Sequence, residues 1–329
     1  MSSKSGQSLQ AIERILSLEI ARVTERAAVA AARLRGRGAE KKSDQAAVDA
    51  MRRELGSLTI DGTVVIGEGE MDEAPMLFIG EKVGTKFGPK VDIAVDPLEG
   101  TTLCAKNMPG AIATLAMAEH GTLLHAPDIY MDKIAVGPGY PKGVIDLDAP
   151  AGDNILKLAK AKGVKPDAIT AMILDRPRHA DMIAQVRKVG GAVSLISDGD
   201  VAGVIHTADA DKTGIDIYLG IGGAPEGVLA AAALRCIGGQ MQTRLVLDTD
   251  EKRERAKKMG IKDARKIYQI ADMVSGDCLF AATGVTDGLM LRGVRFGKDM
   301  VETETVVMRS ASGTIRWIRA EHRKLDKFS

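Results

Sequence analysis

Apolar residues recur three and four positions apart from residue 9 to 34, with Leu9, Ile12, Leu16, Ile20 and Val23 on one stripe. That spacing predicts a long amphipathic helix, stopped by Gly36-Arg37-Gly38. Ser43-Asp44 then precedes Gln45-Ala46-Ala47-Val48 and predicts a second helix, with these two residues at its cap. Thr63 to Ile66 is a short β-branched run, read as a strand that breaks at Gly67-Glu68-Gly69-Glu70. Val91 to Val95 predicts another strand, ending in a tight turn at Asp96-Pro97-Leu98-Glu99-Gly100-Thr101. Extended segments follow at Ala111 to Ala118 and around Ile134 to Val136.

From about Gly152 the pattern switches to alternating helix and strand. Helices are predicted over 153–162, 179–189, 201–206 and 226–236, with strands over 169–174, 192–196 and 215–219. Such alternation argues for an α/β half with mostly parallel strands. A charged helix over 251–259 comes next, then strands near 279–282, 304–309 and 314–319. No repeat or low-complexity linker interrupts the chain. The change of pattern places a domain boundary between residues 1–148 and 149–329.

A chain of 329 residues can bury a large core. Its net charge of +1 and its 3% aromatic content give no footprint for nucleic acid or an anionic membrane. The cysteines Cys104, Cys236 and Cys278 form no Cys-x-x-Cys pair and are expected to be reduced and buried. The five histidines show no metal-ligand spacing, so carboxylates must carry any metal. No apolar run is long enough for a membrane span, and the polar N-terminus has no signal-peptide core, so a soluble cytoplasmic protein is expected.

Acidic residues recur where strands end and helices begin: Asp44, Glu68, Asp96, Glu99 and Glu226. Asp96 and Glu99 with Thr101 bring two carboxylates and a hydroxyl to one strand end. Hard divalent cations such as Mg²⁺ or Mn²⁺ take oxygen ligands of this kind. Gly67 and Gly69 leave the backbone around Glu68 free for a close approach. Gly222-Gly223 before a helix reads either as a tight strand–helix turn or as an oxyanion cradle. Arg176-Pro177-Arg178 could grip phosphate with two guanidinium forks, or be a solvated charged loop. Asp209-Ala210-Asp211 imitates a calcium loop, but Gly220 stands where the bidentate Glu is required. Residues 252–258 read as a solvated helix face.

With these residues assembled, the chain resembles the class II fructose-1,6-bisphosphatases of the lithium-sensitive sugar and inositol phosphatase superfamily. The resemblance rests on four stretches: 67–77 (Gly-Glu-Gly-Glu-Met-Asp-Glu-Ala-Pro-Met-Leu), 92–102 (Asp-Ile-Ala-Val-Asp-Pro-Leu-Glu-Gly-Thr-Thr), 126–131 (Ala-Pro-Asp-Ile-Tyr-Met) and 220–227 (Gly-Ile-Gly-Gly-Ala-Pro-Glu-Gly). It implies a layered α/β/α/β/α sandwich of the sugar-phosphatase type, with an N-terminal metal-binding domain and a C-terminal sugar-phosphate-binding domain. It implies Mg²⁺- or Mn²⁺-dependent hydrolysis of the 1-phosphate of fructose 1,6-bisphosphate, a step of gluconeogenesis, by a cytoplasmic dimer or tetramer.

Carried over by position, the metal ligands are Asp44, Glu68, Asp96, Glu99 and Glu226, with the Leu98 carbonyl. Thr101 and Asp72 resemble the pair that orients and deprotonates the attacking water. Substrate contacts fall on Glu99, Gly100, Thr101, Tyr130, Arg176, Pro177, Arg178, Asp198, Gly199, Asp200 and Gly223. Relatives commonly read Gly-Arg-Gly-Asp-Lys before the first metal Asp. Here Glu40 takes the usual Lys position, so Lys41 or Lys42 would have to substitute. The alternatives weighed are a dual fructose-1,6-/sedoheptulose-1,7-bisphosphatase and, from another class, a non-catalytic sugar-phosphate sensor.

Overall fold

The computed structural model describes residues 16–69, 76–261 and 263–328. The chain divides into two compact units, one of residues 1–123 with 276–329 and one of residues 124–275. This division is not sequential, unlike one at 148/149, because the last strands of the chain return to the sheet begun by the first. The α/β class holds in both units.

In the first unit, helices α1 (Leu16–Ala32) and α2 (Glu40–Ser57) pack on a sheet of eight strands: β1 (Asp61–Ile66), β2 (Lys82–Val83), β3 (Lys90–Glu99), β4 (Ile112–Glu119), β11 (Cys278–Gly284), β12 (Arg295–Phe296), β13 (Val301–Arg309) and β14 (Thr314–His322). The order is β12-β13-β11-β4-β3-β1-β2, with β14 on the other edge of β13. Among the described strands of this unit, β1 and β3 pair in parallel and the other pairings are antiparallel. Ile20, Val23 and Ala27 of α1 and Met51 and Leu55 of α2 are buried with Val91, Ile93, Val95, Leu115 and Ala281 of the sheet in one apolar core. Residues 9–15 of the expected first helix lie outside the described residues.

The second helix starts earlier than its sequence suggests. Ala39 is its N-cap, and Ser43 and Asp44 lie inside it. Ser43 Oγ donates back to the carbonyls of Glu40 (2.8 Å) and Ala39 (3.1 Å) instead of capping. Glu40, Lys41 and Lys42 are all exposed on the first turn.

The second unit holds a sheet of order β10-β9-β5-β8-β6-β7. Its strands are β5 (Tyr130–Val136), β6 (Thr170–Leu174), β7 (Ala192–Ile196), β8 (Ile217–Gly223), β9 (Gln240–Leu245) and β10 (Tyr268–Gln269). Four helices matter here: α4 (Ala151–Lys162), α5 (Ala180–Lys188), α6 (Asp200–His206) and α7 (Ala224–Ile237). Alternate residues sort the faces. Ile134, Ile173 and Ile217 point to the core with Ile155 and Leu158 of α4 and Val186 of α5. Met172 and Tyr218, one residue out of step, meet His206 and Gly203 of α6.

The expectation of mostly parallel strands is corrected. Pairings β6–β7 and β6–β8 are parallel, while β5–β8, β5–β9 and β9–β10 are antiparallel. Strands β6 to β9 do run one way, as helical crossovers require. β5 enters without a crossover helix and wedges between β8 and β9, which converts those pairings to antiparallel. All three cysteines are free and buried, as expected. Among the described residues, no helix is long and apolar enough to cross a membrane.

Helix α1 is pinned to its sheet by three buried hydroxyls. Thr24 lies within hydrogen-bond distance of the Ala21 carbonyl (3.0 Å) and shares a hydrogen bond with Thr283 (2.7 Å), which shares another with Thr305 (2.7 Å). Thr283→Val removes the middle link and leaves the Thr24 and Thr305 hydroxyls enclosed without this partner. Equilibrium urea unfolding is expected to show a loss of about 1–3 kcal/mol. A midpoint unchanged from wild type would mean the chain contributes nothing.

Candidate functional site

In the first unit, the strand carrying the acidic pair does not stop at Val95. β3 runs on through Glu99, with a shift in register against β4. Asp96 stands opposite Thr114 and Glu99 opposite Ile112, so Pro97 and Leu98 together face Ala113 alone. This is a β-bulge, a place where a proline's missing N–H does no harm. Residues three apart on a regular strand point to opposite faces. Because Thr114 and Ile112 are two apart, the inserted residue puts Asp96 and Glu99 on the same face. Leu98 turns the other way, into the core beneath α1 and α2. The Leu98 N–H donates to Asp96 Oδ1 at 3.2 Å, which fixes the bulge. The tight turn expected here is thus a bulged strand.

Gly100 follows at φ +83°, a conformation few side chains tolerate, and opens the short helix α3 (Thr101–Ala105). The strand therefore delivers Asp96, Glu99 and Thr101 in one continuous stretch. Glu99 is buried, and Thr101 and Asp96 are half-buried. Glu68 is half-buried just past β1, its N–H bonded to the Leu77 carbonyl at 3.0 Å. Gly67 is required by space: a Cβ there would lie 1.9 Å from the Leu77 oxygen. Burial pushes the Asp44 carboxyl above its ordinary pKa. Asp72 lies outside the described residues.

In the second unit, Glu226 opens α7 as expected, and Asp198-Gly199-Asp200 opens α6, with Gly199 at φ +89°. A residue not singled out from the sequence joins them. Lys133, in the middle of β5, has a fully buried side chain whose ammonium bonds Asp200 Oδ2 (2.5 Å) and the Gly223 carbonyl (2.5 Å). The signal was present: Lys133 alternates with the buried Met131 and Ala135. Glu226 Oε2 and Asp200 Oδ1 are enclosed with no hydrogen-bond partner. Burial and the nearby Asp200 charge raise the Glu226 pKa, against the pull of Lys133.

Gly222 and Gly223 make room for these acids. A Cβ on Gly222 would sit 1.6 Å from Asp200 Oδ2, and one on Gly223 would sit 1.8 Å from Glu226 Oε2. Their role is clearance for two carboxylates.

The arginine loop is ordered. Arg178 donates through Nε (3.2 Å) and Nη2 (2.7 Å) to the Ile221 carbonyl, and its guanidinium lies 4.9 Å above the Tyr130 ring. Arg176 bonds the carbonyl of Asp175 at 3.1 Å, and Pro177 begins a 3-10 turn. The false calcium loop is a helix start: Asp209 accepts from the Lys212 N–H at 3.3 Å.

Among the described residues, no group of three His, Cys, Asp or Glu side chains could hold a metal ion. The donor chemistry nonetheless fits a hard cation. The candidate set is all oxygen, and Glu226 carries an enclosed, unpartnered carboxylate oxygen. No positively charged side chain supplies that oxygen with a hydrogen bond.

The family model described as bacterial fructose-1,6-bisphosphatase, glpX-encoded, matches residues 14–322. A D-fructose 1,6-bisphosphatase class 2/sedoheptulose 1,7-bisphosphatase of Synechococcus sp. (strain JA-3-3Ab) is 45% identical over 334 residues, covering 94% of this chain and 96% of its own. The protein of the same description from Parasynechococcus marenigrum (strain WH8102) is 43% identical over 327 residues, covering 95% and 97%.

Replacing Gly222 by Ala forces the Asp200 carboxylate off Lys133 and breaks a buried ion pair. Thermal unfolding of Gly222→Ala is expected at a clearly lower temperature, in line with the roughly 3–5 kcal/mol that breaking a buried ion pair costs. A wild-type melting temperature would show that Asp200 can move aside freely.

Proposed function

The chain belongs to the glpX-encoded family of bacterial fructose-1,6-bisphosphatases, which makes it a phosphoric monoester hydrolase, and from that premise we propose how its own residues carry the reaction. The substrate is fructose 1,6-bisphosphate, and the 1-phosphate is released. Support comes above all from the β3 bulge, which sets Asp96 and Glu99 on one face directly before Thr101.

Asp44, Glu68, Asp96 and Glu99, with the Leu98 carbonyl, are the cation ligands of the first unit, and Glu226 is that of the second. Mg²⁺ or Mn²⁺ held by such oxygens supplies positive charge to the phosphoryl oxygens and a lowered pKa to water. Thr101 orients the attacking water by accepting from it, and passes its own hydroxyl proton to the Asp72 carboxylate. Tyr130, Arg176 to Arg178, Asp198 to Asp200 and Gly223 hold the sugar and its distal phosphate. Arg178 has three N–H groups left after bonding Ile221, enough for a bidentate grip. The same reading has the enzyme work in the cytoplasm as a dimer or tetramer, in gluconeogenesis. A second reading adds sedoheptulose 1,7-bisphosphate, since the relatives above carry both activities in their names.

Phosphate release from fructose 1,6-bisphosphate is expected to need Mg²⁺ or Mn²⁺, to stop with EDTA and to return with excess metal. Release indifferent to EDTA sinks the role given to the carboxylates. No release under any condition overturns the proposed hydrolysis.

Thr101→Val is expected to lower kcat by about 10²-fold or more with little change in KM, the mark of a contact made in the transition state. Serine at this position should recover part of the rate. Near-normal turnover by the valine variant removes Thr101 from the chemistry.

A further inference from the structure

Ile221 of β8 lies beyond the end of the β6 ladder, whose last pairing to β8 is Met172 with Tyr218. Both of its backbone groups are nevertheless satisfied, and by consecutive residues. The carbonyl accepts from the Arg178 fork, and the N–H donates to His179 Nε2 at 2.8 Å. The other nitrogen of the same ring, Nδ1, bonds the Leu174 carbonyl at 2.7 Å. His179 is fully buried.

The partners settle its tautomer. A carbonyl can only accept, so Nδ1 carries the proton; an amide N–H can only donate, so Nε2 is bare. Burial and the neighbouring Arg178 and Arg176 charges favour this neutral form, pushing the His179 pKa down against the Leu174 bond. His179 thus ties the end of β6 to the strand residue on which Arg178 rests.

We propose that His179 is a positioning residue for recognition of the substrate's distal phosphate: by fixing the Ile221 peptide it sets the Arg178 guanidinium over Tyr130, ready for a phosphate monoester dianion. The claim rests on the reading of the arginine loop given above. Arg178 spends two of its five N–H groups on an anchor, and that anchor is only as rigid as the peptide behind it. His179 touches no reacting atom. Its effect should therefore fall on binding of the distal phosphate and spare hydrolysis at C1.

Two substitutions separate the two ring nitrogens. The side-chain oxygen of glutamine can stand where Nε2 stands and accept from Ile221. Asparagine is shorter, and its amide can replace only the Nδ1 donor. The test is steady-state kinetics of the full chain with saturating Mg²⁺, on fructose 1,6-bisphosphate and on fructose 1-phosphate, which lacks the distal phosphate.

His179→Asn is expected to raise KM for the bisphosphate about tenfold, as for one lost hydrogen bond behind the Arg178 anchor, with kcat within about threefold. His179→Gln should stay near wild type on both esters, and both variants should leave fructose 1-phosphate turnover near wild type. Equal effects of the two variants, a fall in kcat/KM on both esters in parallel, or an unchanged KM in His179→Asn would each overturn the proposal. If His179→Asn does not fold, His179→Gln decides alone: wild-type KM supports the role, and a tenfold rise refutes it. The wild-type measurements are read first. No advantage of the bisphosphate over fructose 1-phosphate refutes the arginine-loop reading, and absence of phosphatase activity refutes the proposed function itself.

Discussion

A carboxylate enclosed by protein must meet a positive charge or keep its proton, and that constraint shapes both units of this chain. In the second unit Lys133 brings one ammonium to two acids, Asp200 and Glu226. Two of its hydrogen bonds are accounted for, one to Asp200 and one to the Gly223 carbonyl. Glu226 feels the charge without the bond, and its Oε2 bonds to nothing. Burial and the Asp200 charge raise the Glu226 pKa, so this second acid gives up its proton only at a desolvation cost. In the first unit burial raises the Asp44 pKa with no cation opposing it. Both shifts describe a chain that bears a desolvation cost which a divalent cation would offset on binding.

Carrying that cost takes backbone devices. A regular strand would split Asp96 and Glu99 between the sheet's two faces, one of which is the apolar core under α1 and α2. One inserted residue at Pro97-Leu98 prevents this, and proline suits the position because it removes a donor the bulge could not pair. Gly222 and Gly223 act by clearance, since any side chain at either position would occupy the space of a carboxylate oxygen. Both devices are local backbone features that let charged groups sit where alternation or side-chain bulk would forbid them.

How far these features could be read beforehand follows from their range. Periodicity reports local geometry, so helices such as α4 and α7 and strands such as β7 and β4 were legible within a residue or two. The α2 start was misjudged because Ser43 can either cap or bond backwards, and only the path of the chain before Ala39 decides between them. Strand direction was misjudged because β5 inserts from a distant loop, which no local pattern records. The acidic positions were visible as residue types at element ends. Lys133 and His179 were passed over for one reason: each works through a partner far away in sequence, Asp200 and Ile221 respectively. A lysine inside an apolar strand was the available signal, because an ammonium is not buried without a counter-charge.

The proposed cation ligands and the arginine loop offer a phosphate different chemistry, and on the proposed function that difference bears on which ester is cleaved. Carboxylates can recruit a cation, and a cation can both neutralise a phosphoryl group and acidify water. A guanidinium offers fixed donors and a permanent charge but cannot acidify water, since it neither releases its own proton at neutral pH nor opens a coordination site. A phosphate held by Arg178 is therefore bound without being activated. On this reading the selectivity for the 1-phosphate needs no device that protects the other ester: the distal phosphate is safe because the groups that recognise it lack the chemistry to hydrolyse it. The same logic explains why His179 stays neutral in its tautomer. A protonated ring would lose its acceptor for the Ile221 N–H, and with it the fixed placement on which recognition by Arg178 depends.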